Sequence, residues 1–363
     1  MSEKLRRRRF IRSGAIAGTA LFAGCSGNGG GDGGDSGSDG GDDGSDGGSD
    51  GGDDGSDGGS DGGDDGSDGG DDAPPTVALL VPSLEFTFFA RMQNAFDQAM
   101  SDGSIASDST FSDAGNSQTQ QVSDVENAVS NEVDFIMISA ITAEGVISAI
   151  QEANEADIPV IAIDRNVAEG DTVTYVASDN VQLGRRSTEL CLSFMEETSD
   201  QDTYNIIQLE GTPGASVTND RGEGFQNAVS NADSLEQLAT QTGEFSTQEA
   251  LNVMEDFITE YEDEIDGVFC QNDLMALGAH QALQNADMSV PITGIDGTEA
   301  WVERFPDNEY YGTIAQLPEE MVTTAIDRGT AYLAGEDVED TIVVEGLEVT
   351  QENGSDYLDQ YFG

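Results

Sequence analysis

Residues 158–165 read Ile-Pro-Val-Ile-Ala-Ile-Asp-Arg, an apolar, largely β-branched run that ends abruptly in an acid and a base. An unbroken apolar run of this length is typical of a strand that is buried on both faces of a parallel sheet. Residues 144–156, just before it, have the apolar spacing of an amphipathic helix. The stretch therefore predicts one strand of an α/β fold, with Asp164 and Arg165 at its carboxyl end.

The same alternation extends from residue 76 to residue 349. Short apolar runs predict strands at residues 76–81, 134–140, 159–163, 205–209, 267–270 and 292–295. Helical spacing occurs at residues 89–100, 121–130, 144–156, 184–195, 222–230, 247–261 and 274–286. Repeated strand and helix predict doubly wound parallel sheets, and this length fits two similar lobes better than one sheet.

Polar and aromatic residues follow the predicted strands. In sheets of this kind, ligands bind outside the carboxyl ends of the strands. The candidate binding residues are Phe88, Ser139, Asp164, Arg165, Arg221, Phe245, Asn272, Asp296 and Gln316. Carboxylates, amides and guanidiniums can pair with vicinal hydroxyls, and aromatic rings can cover the C–H faces of a sugar, so the mixture indicates a neutral polyhydroxylated ligand.

Each candidate also has an ordinary structural interpretation. Asp164 and Arg165 could form a loop salt bridge, and Asn272 could cap the helix that follows it. Arg221 could pair with a neighbouring acid on its own helix. The phenylalanines could belong to the core.

Seven motifs occur in order along the chain and are together specific. They are Ile158 to Arg165, Ala177-Ser178-Asp179-Asn180, Arg221-Gly222-Glu223-Gly224-Phe225, Leu251-Asn252-Val253-Met254, Gln271 to Ala279, Gly294-Ile295-Asp296-Gly297-Thr298 and Thr313 to Pro318. From residue 76 to about residue 349 the chain resembles the ribose-binding branch of the periplasmic sugar-binding proteins of ABC transporters.

This resemblance implies a type I periplasmic-binding fold with two lobes, three hinge crossings near Ser178, Gln316 and Gly346, and a monosaccharide in the cleft. The N-terminal lobe would comprise residues 76–178 plus 317–346, and the C-terminal lobe residues 179–316 plus 347–363. It also implies ligand-binding roles for ten residues: Phe88, Phe89, Ser139, Asp164, Arg165, Arg221, Phe245, Asn272, Asp296 and Gln316. A monomer that delivers its ligand to the permease subunits of an ABC transporter is expected.

Three positions depart from the ribose-binding pattern. Pro82 stands where those proteins place a serine, and Phe86 and Ser139 stand where they place asparagines. Each change removes or shortens a hydrogen-bonding group on the N-terminal lobe. A sugar hydroxyl left without a partner costs about 1–3 kcal/mol, so we expect a sugar other than ribose to be preferred.

The N-terminus has the features of an export signal. Arginines occupy positions 6–9, a short apolar segment follows, and Leu-Phe-Ala-Gly-Cys ends it at Cys25. The apolar segment is about half as long as the ~20 residues of a membrane span. It resembles a twin-arginine lipoprotein signal over residues 1–25. That resemblance implies a lipidated Cys25 and anchoring to the outer face of the cell membrane.

Residues 26–72 consist of Gly, Asp, Ser and one Asn, and they contain three copies of SDGGDDGSDGG. No apolar residue is present to offset the backbone ordering cost of about 1–2 kcal/mol per residue. A calcium-binding β-roll would need an apolar residue in each turn, so a solvated acidic linker over residues 26–75 is the favoured interpretation.

Acidic residues dominate the whole chain. It has 72 Asp plus Glu against 13 Lys plus Arg, for a net charge of -59. This balance argues against nucleic acid as a partner and resembles the composition of proteins from salt-accumulating halophiles. The chain has one histidine, and Cys191 and Cys270 fall on apolar stripes, so buried unpaired thiols, no metal and no cofactor are expected.

The expected function is therefore that of an extracytoplasmic sugar-binding lipoprotein rather than an enzyme. A receptor for a signalling furanose or a chemotactic sugar has the same fold and stays an alternative. An exported glycosidase is less favoured, because carboxylate pairs carry little information in so acidic a chain. A sugar-responsive repressor would need a DNA-binding segment where the signal and linker stand.

Salt should stabilise this protein. Repulsion among exposed carboxylates is screened when molar salt shortens the Debye length to about 3 Å. We expect the folded domain to lose structure when the salt is lowered from about 2 M to 0.05 M, as followed by circular dichroism and thermal melting. A melting temperature indifferent to salt would contradict this prediction.

Overall fold

The computed structural model describes residues 73–363. The predicted signal, Cys25 and nearly all of the acidic linker lie outside the described residues. The strands of the described part are, in chain order, β1 (Val77–Val81), β2 (Thr110–Asp113), β3 (Phe135–Ile138), β4 (Val160–Ile163), β5 (Thr174–Ala177), β6 (Tyr204–Glu210), β7 (Leu235–Thr242), β8 (Gly267–Cys270), β9 (Ile292–Asp296), β10 (Tyr311–Ala315), β11 (Thr341–Val343) and β12 (Leu347–Thr350).

The helices alternate with these strands. They are α1 (Thr87–Asp102), α2 (Gln118–Ser130), α3 (Ile147–Glu155), α4 (Asn180–Thr198), α5 (Ser216–Asn231), α6 (Thr247–Tyr261), α7 (Asp273–Asn285), α8 (Glu299–Val302), α9 (Pro318–Leu333) and α10 (Gly354–Tyr361). Short 3-10 turns occupy Glu262–Glu264 and Phe305–Asp307.

The strands form two six-stranded sheets with the same internal order. The first runs β11-β5-β4-β3-β1-β2, and the second runs β12-β10-β9-β8-β6-β7. Neighbouring strands are parallel except for β12, which pairs antiparallel to β10. The prediction of two doubly wound parallel-sheet lobes is confirmed.

Burial explains why the central strands are continuously apolar. Every residue of β1, β3, β4, β8, β9 and β10 is buried, because helices cover both faces of each sheet. Cys270 lies in β8, and Cys191 lies on the helix α4 that packs against it; both are buried free thiols, as predicted. Strand β2, at the edge of the first sheet, is half exposed.

The chain passes between the two lobes three times within the described residues. Helix α4 packs on β8, β9 and β10, whereas α9 packs on α1, β4 and β5. The first crossing therefore lies between β5 and α4, the second between β10 and α9, and the third between β11 and β12. This gives the two-lobe, three-crossing architecture.

Candidate ligand-binding site

A cavity lies between the lobes at the carboxyl ends of strands from both sheets. The empty space among its lining atoms, including the part open to solvent, is about 290 Å³. The lining residues are Phe86, Phe88, Phe89, Asp164, Arg165, Val217, Arg221, Phe245, Asn272, Asp296 and Gln316. The structure thus brings together nine of the ten predicted binding residues, all but Ser139.

Two pairs of opposite charges are buried in this cavity. Arg165 Nε lies 3.8 Å from Asp164 Oδ2, and Arg221 Nη1 lies 3.7 Å from Asp296 Oδ1. Both distances are too long for hydrogen bonds, so the members of each pair compensate each other's charge without a hydrogen bond between them. Because two carboxylates face two guanidiniums, the cavity favours a neutral ligand.

Several hydrogen-bonding atoms of the cavity are unused. Within the described residues, Arg165 Nε, Arg165 Nη1 and Gln316 Oε1 are buried and make no hydrogen bond. Buried polar groups without partners are rare in folded proteins. Two donors and one acceptor in a single cavity fit a ligand that offers both functions, as a hydroxyl group does.

Other polar atoms of the site are held by the protein itself. Arg221 Nε donates to Asn180 Oδ1 at 2.8 Å, and its Nη1 donates to the Gln271 carbonyl at 2.6 Å. Gln316 Nε2 donates to Asp296 Oδ1 at 2.9 Å. Arg221 therefore bonds residues outside its own helix, which differs from the ordinary interpretation of a pair with an adjacent acid.

Asn272 both caps a helix and lines the cavity, the two roles considered from the sequence. Its Oδ1 accepts from the Met275 amide at 3.0 Å and so caps α7, while the residue also lines the cavity. The cap fixes the side chain and leaves its Nδ2 as a further donor.

Ser139 lies behind the cavity. It is completely buried and is not among the lining residues; its hydroxyl donates to Asp164 Oδ2 at 3.2 Å. The residue is thus placed to orient Asp164.

Aromatic rings surround Arg165. Its Cζ lies 5.2 Å from the centre of the Phe245 ring, 5.4 Å from Phe89 and 5.7 Å from Phe86. Phe86 and Phe245 come from opposite lobes and meet edge to face at 6.4 Å. Of the two lining residues absent from the predicted set, Phe86 was visible in the sequence as a departure from the ribose-binding pattern, and Val217 had no signal of its own.

Three site residues have unusual backbone conformations. Asp164, Phe245 and Asp296 have φ angles of 60°, 58° and 122°, although none is glycine. Such conformations cost on the order of 1–3 kcal/mol and persist only where neighbours hold them. Tyr175 supports Asp164 by donating its hydroxyl to the Asp164 carbonyl at 2.7 Å.

Burial raises the pKa of both cavity carboxylates. It raises the pKa of Asp296 to about 6, against the opposing effects of Arg221 and Gln316. It also raises the pKa of Asp164, against Arg165 and Arg221. Burial lowers the pKa of Arg165 to about 10, so this guanidinium stays charged at neutral pH.

The lobes touch over the cavity. The Asn166 amide donates to Ser216 Oγ at 2.8 Å, and the Ala143 amide donates to the Gly214 carbonyl at 3.0 Å. Since Asn166 and Ala143 belong to the first lobe and the acceptors to the second, the cleft is closed.

A family model described as the periplasmic binding protein domain matches residues 77–337. The chain belongs to the periplasmic binding protein family. It is 32% identical over 265 residues to the ribose import binding protein of Escherichia coli (strain K12), an alignment that covers 73% of this chain and 86% of that protein. The resemblance found in the sequence is confirmed.

Solved structures of this family have the same fold. The arabinose-binding component of an ABC transporter from Shewanella sp. ANA-3, bound to L-arabinofuranose, is 29% identical with a TM-score of 0.72, over 79% of this chain and 95% of that one. A solute-binding protein from Bacillus halodurans C-125 with bound myo-inositol is 28% identical with a TM-score of 0.73, over 80% of this chain and 100% of that one. Relatives of this periplasmic binding protein are therefore sugar- and polyol-binding proteins of ABC transporters.

Within residues 73–363, no helix is long and apolar enough to cross a bilayer, and no cluster of three or more His, Cys, Asp or Glu side chains could hold a metal ion.

The pKa of Asp296 predicts a pH-dependent affinity. As the pH falls through about 6, this carboxyl takes up a proton and loses the charge that strengthens a hydrogen bond from a ligand hydroxyl. We expect the affinity to be constant above pH 7 and to fall up to about tenfold per pH unit below 6. Calorimetry at fixed high salt would measure it, with circular dichroism to verify folding at each pH. A flat profile between pH 5 and 8 would be incompatible with this role of Asp296.

Proposed function

We propose that this protein is an extracytoplasmic solute-binding lipoprotein of an ABC importer that binds a monosaccharide or a related polyol between its lobes. The observation that carries the proposal is the set of unused donors and acceptors on Arg165 and Gln316, inside a cavity of balanced charge. A neutral ligand with several hydroxyls satisfies both conditions. The residues bind and orient the ligand, and no chemical step is assigned to them.

Polar residues of both lobes hydrogen-bond the ligand. Asp164 and Asp296 accept hydrogen bonds from hydroxyls on opposite sides. Arg165 and Arg221 donate to hydroxyl and ring oxygens. Asn272 and Gln316 complete the polar shell. Because a carboxylate and a guanidinium reach the cavity from each lobe, a bound sugar stabilises the closed cleft.

The N-terminal lobe offers fewer hydrogen bonds than a ribose-binding site does. Phe86 lines the cavity with an aromatic ring where the ribose binders place an asparagine, and Ser139 is engaged by Asp164. A hydroxyl directed at Phe86 would have no partner there. The proposed ligand is therefore a sugar or polyol that presents C–H groups, and no hydroxyl, to Phe86. Ribose itself is disfavoured.

The rest of the proposal concerns delivery. Export and a lipid on Cys25 would hold the protein at the outer face of the membrane, and the acidic linker would let the closed lobes reach the permease subunits as a monomer. The relatives described as components of ABC transporters support the delivery to permease subunits, since their ligand-bound structures share the two-lobe fold.

Asp164→Asn tests the cleft. This change keeps the volume but replaces a charged acceptor with an amide. Two hydrogen bonds to a charged group, each worth roughly 1.5 kcal/mol, would be lost, so we expect about 100-fold weaker binding. Calorimetry against a panel of pentoses, hexoses and inositols in high salt would measure it. Asp171→Asn, an exposed position on the same lobe, is the matched control. Equal affinities of the two variants would refute the assignment.

Phe86→Asn tests the ligand class. Restoring an amide at this position gives a hydroxyl on that edge a partner, so the affinity for D-ribose should rise by about tenfold relative to the sugar preferred by the unaltered protein. Phe86→Leu is the control, because it removes the ring without adding a donor. If the asparagine and leucine variants show the same change in preference, Phe86 does not select the ligand through hydrogen bonding.

A further inference from the structure

The C-terminal segment lies beyond the family match, which ends at residue 337. Its last helix, α10, packs against α8 and β12 of the second lobe. Tyr357 is the buried residue at the centre of this contact, with 5% of its surface exposed. The sequence did not reveal whether this segment docks on the lobe, and the structure shows that it does.

Tyr357 contacts the backbone next to a cavity carboxylate. Its hydroxyl donates to the Gly297 carbonyl at 2.7 Å in a buried hydrogen bond. Gly297 directly follows Asp296, and both have a positive φ: 122° at Asp296 and 72° at Gly297. A Cβ at position 297 would collide with the Tyr357 hydroxyl and Ala315, so glycine is required there. Tyr357 thus closes the turn that presents Asp296 to the cavity.

Phe362, the residue directly after this helix, also reaches the first lobe. Arg91 lies on α1, two residues after Phe89 of the cavity wall, and its guanidinium lies 4.9 Å from the centre of the Phe362 ring. Arg91 is fixed by two hydrogen bonds of 2.7 and 2.8 Å to Glu319 at the start of α9. Such a bidentate pair fixes the position of the guanidinium beside the ring. The C-terminal segment therefore contacts both lobes beside the cleft.

We propose that Tyr357 is a positioning residue for Asp296, and that Phe362 on Arg91 ties the closed lobes together. The inference rests on the proposed function, because the position of Asp296 matters only if the cleft binds a ligand. A tail that merely covered apolar surface on β12 and α8 would require neither the hydrogen bond to Gly297 nor the ring over Arg91.

The first test compares Tyr357→Phe with Tyr361→Phe, which makes the same chemical change on the same helix. Hydrogen exchange of the unliganded protein should accelerate about fivefold at residues 297–298 in Tyr357→Phe, the size expected for one buried hydrogen bond, and not in Tyr361→Phe. The melting temperature of Tyr357→Phe should lie only about 2–4 °C below that of Tyr361→Phe, the shift expected for one buried hydrogen bond. Unchanged exchange at residues 297–298 in Tyr357→Phe would overturn the positioning role.

The second test uses Phe362→Ala and Phe362→Trp. Small-angle scattering of the unliganded protein in high salt should give a larger radius of gyration for Phe362→Ala, with the closed-to-open ratio lowered about tenfold, whereas the tryptophan should restore the original value. Equal radii for the unaltered protein and Phe362→Ala would overturn the tie between the lobes.

Binding of D-ribose, L-arabinose and myo-inositol would then be measured for all four variants. Any of these compounds that binds the unaltered protein should bind about fivefold more weakly to Tyr357→Phe and equally well to Tyr361→Phe. Exchange and scattering need no ligand, so they decide the inference even if none of the three compounds binds. Failure to bind any sugar or polyol would count against the proposed function alone.

Discussion

Burial of two carboxylates and two guanidiniums in one cleft is the constraint on which the rest of this structure depends. A single buried charge is strongly unfavourable, and here Asp164 pairs with Arg165 in one lobe and Arg221 pairs with Asp296 in the other. Separations of 3.8 and 3.7 Å provide this compensation and leave two nitrogens of Arg165 without a hydrogen bond. The charged side chains can therefore bind a neutral ligand. In the closed cleft, residues of both lobes surround them.

Much of the fold and of the site could be predicted, because both depend on burial. Strands β4, β8 and β9 are covered on both faces, so their sequences are continuously apolar and easily found. In a parallel sheet the strands end at the same edge, so Asp164 and Asp296 could each be assigned to the binding edge of its own sheet without coordinates. The motifs shared with the family also predict binding residues that do not follow a strand, such as Arg221, which lies within a helix.

What could not be predicted lacks a periodic signal or depends on side-chain length. Strands β2 and β11 are short, partly exposed edge strands. Helix α9 does have apolar residues at helical spacing, including Met321, Ala325 and Gly329, and could have been included among the predicted helices. Ser139 stands at a position used for ligands in relatives, yet a serine is shorter than an asparagine and bonds Asp164 instead. The role of Phe86 in the cavity wall emerges only when the lobes meet.

The identical strand order of the two sheets gives the cleft an approximate twofold symmetry. Strand β4 has β3 and β5 as neighbours, and β9 has β8 and β10 in the corresponding places. Asp164 follows β4 and Asp296 ends β9, each with a positive φ. The two carboxylates are thus the same topological position presented twice, facing the cavity from opposite lobes. The proposed sugar ligand has no such symmetry, so discrimination between its two edges must come from what differs between the halves: Phe86, Phe88 and Phe89 on one side, and Asn272 with the Tyr357-supported turn on the other.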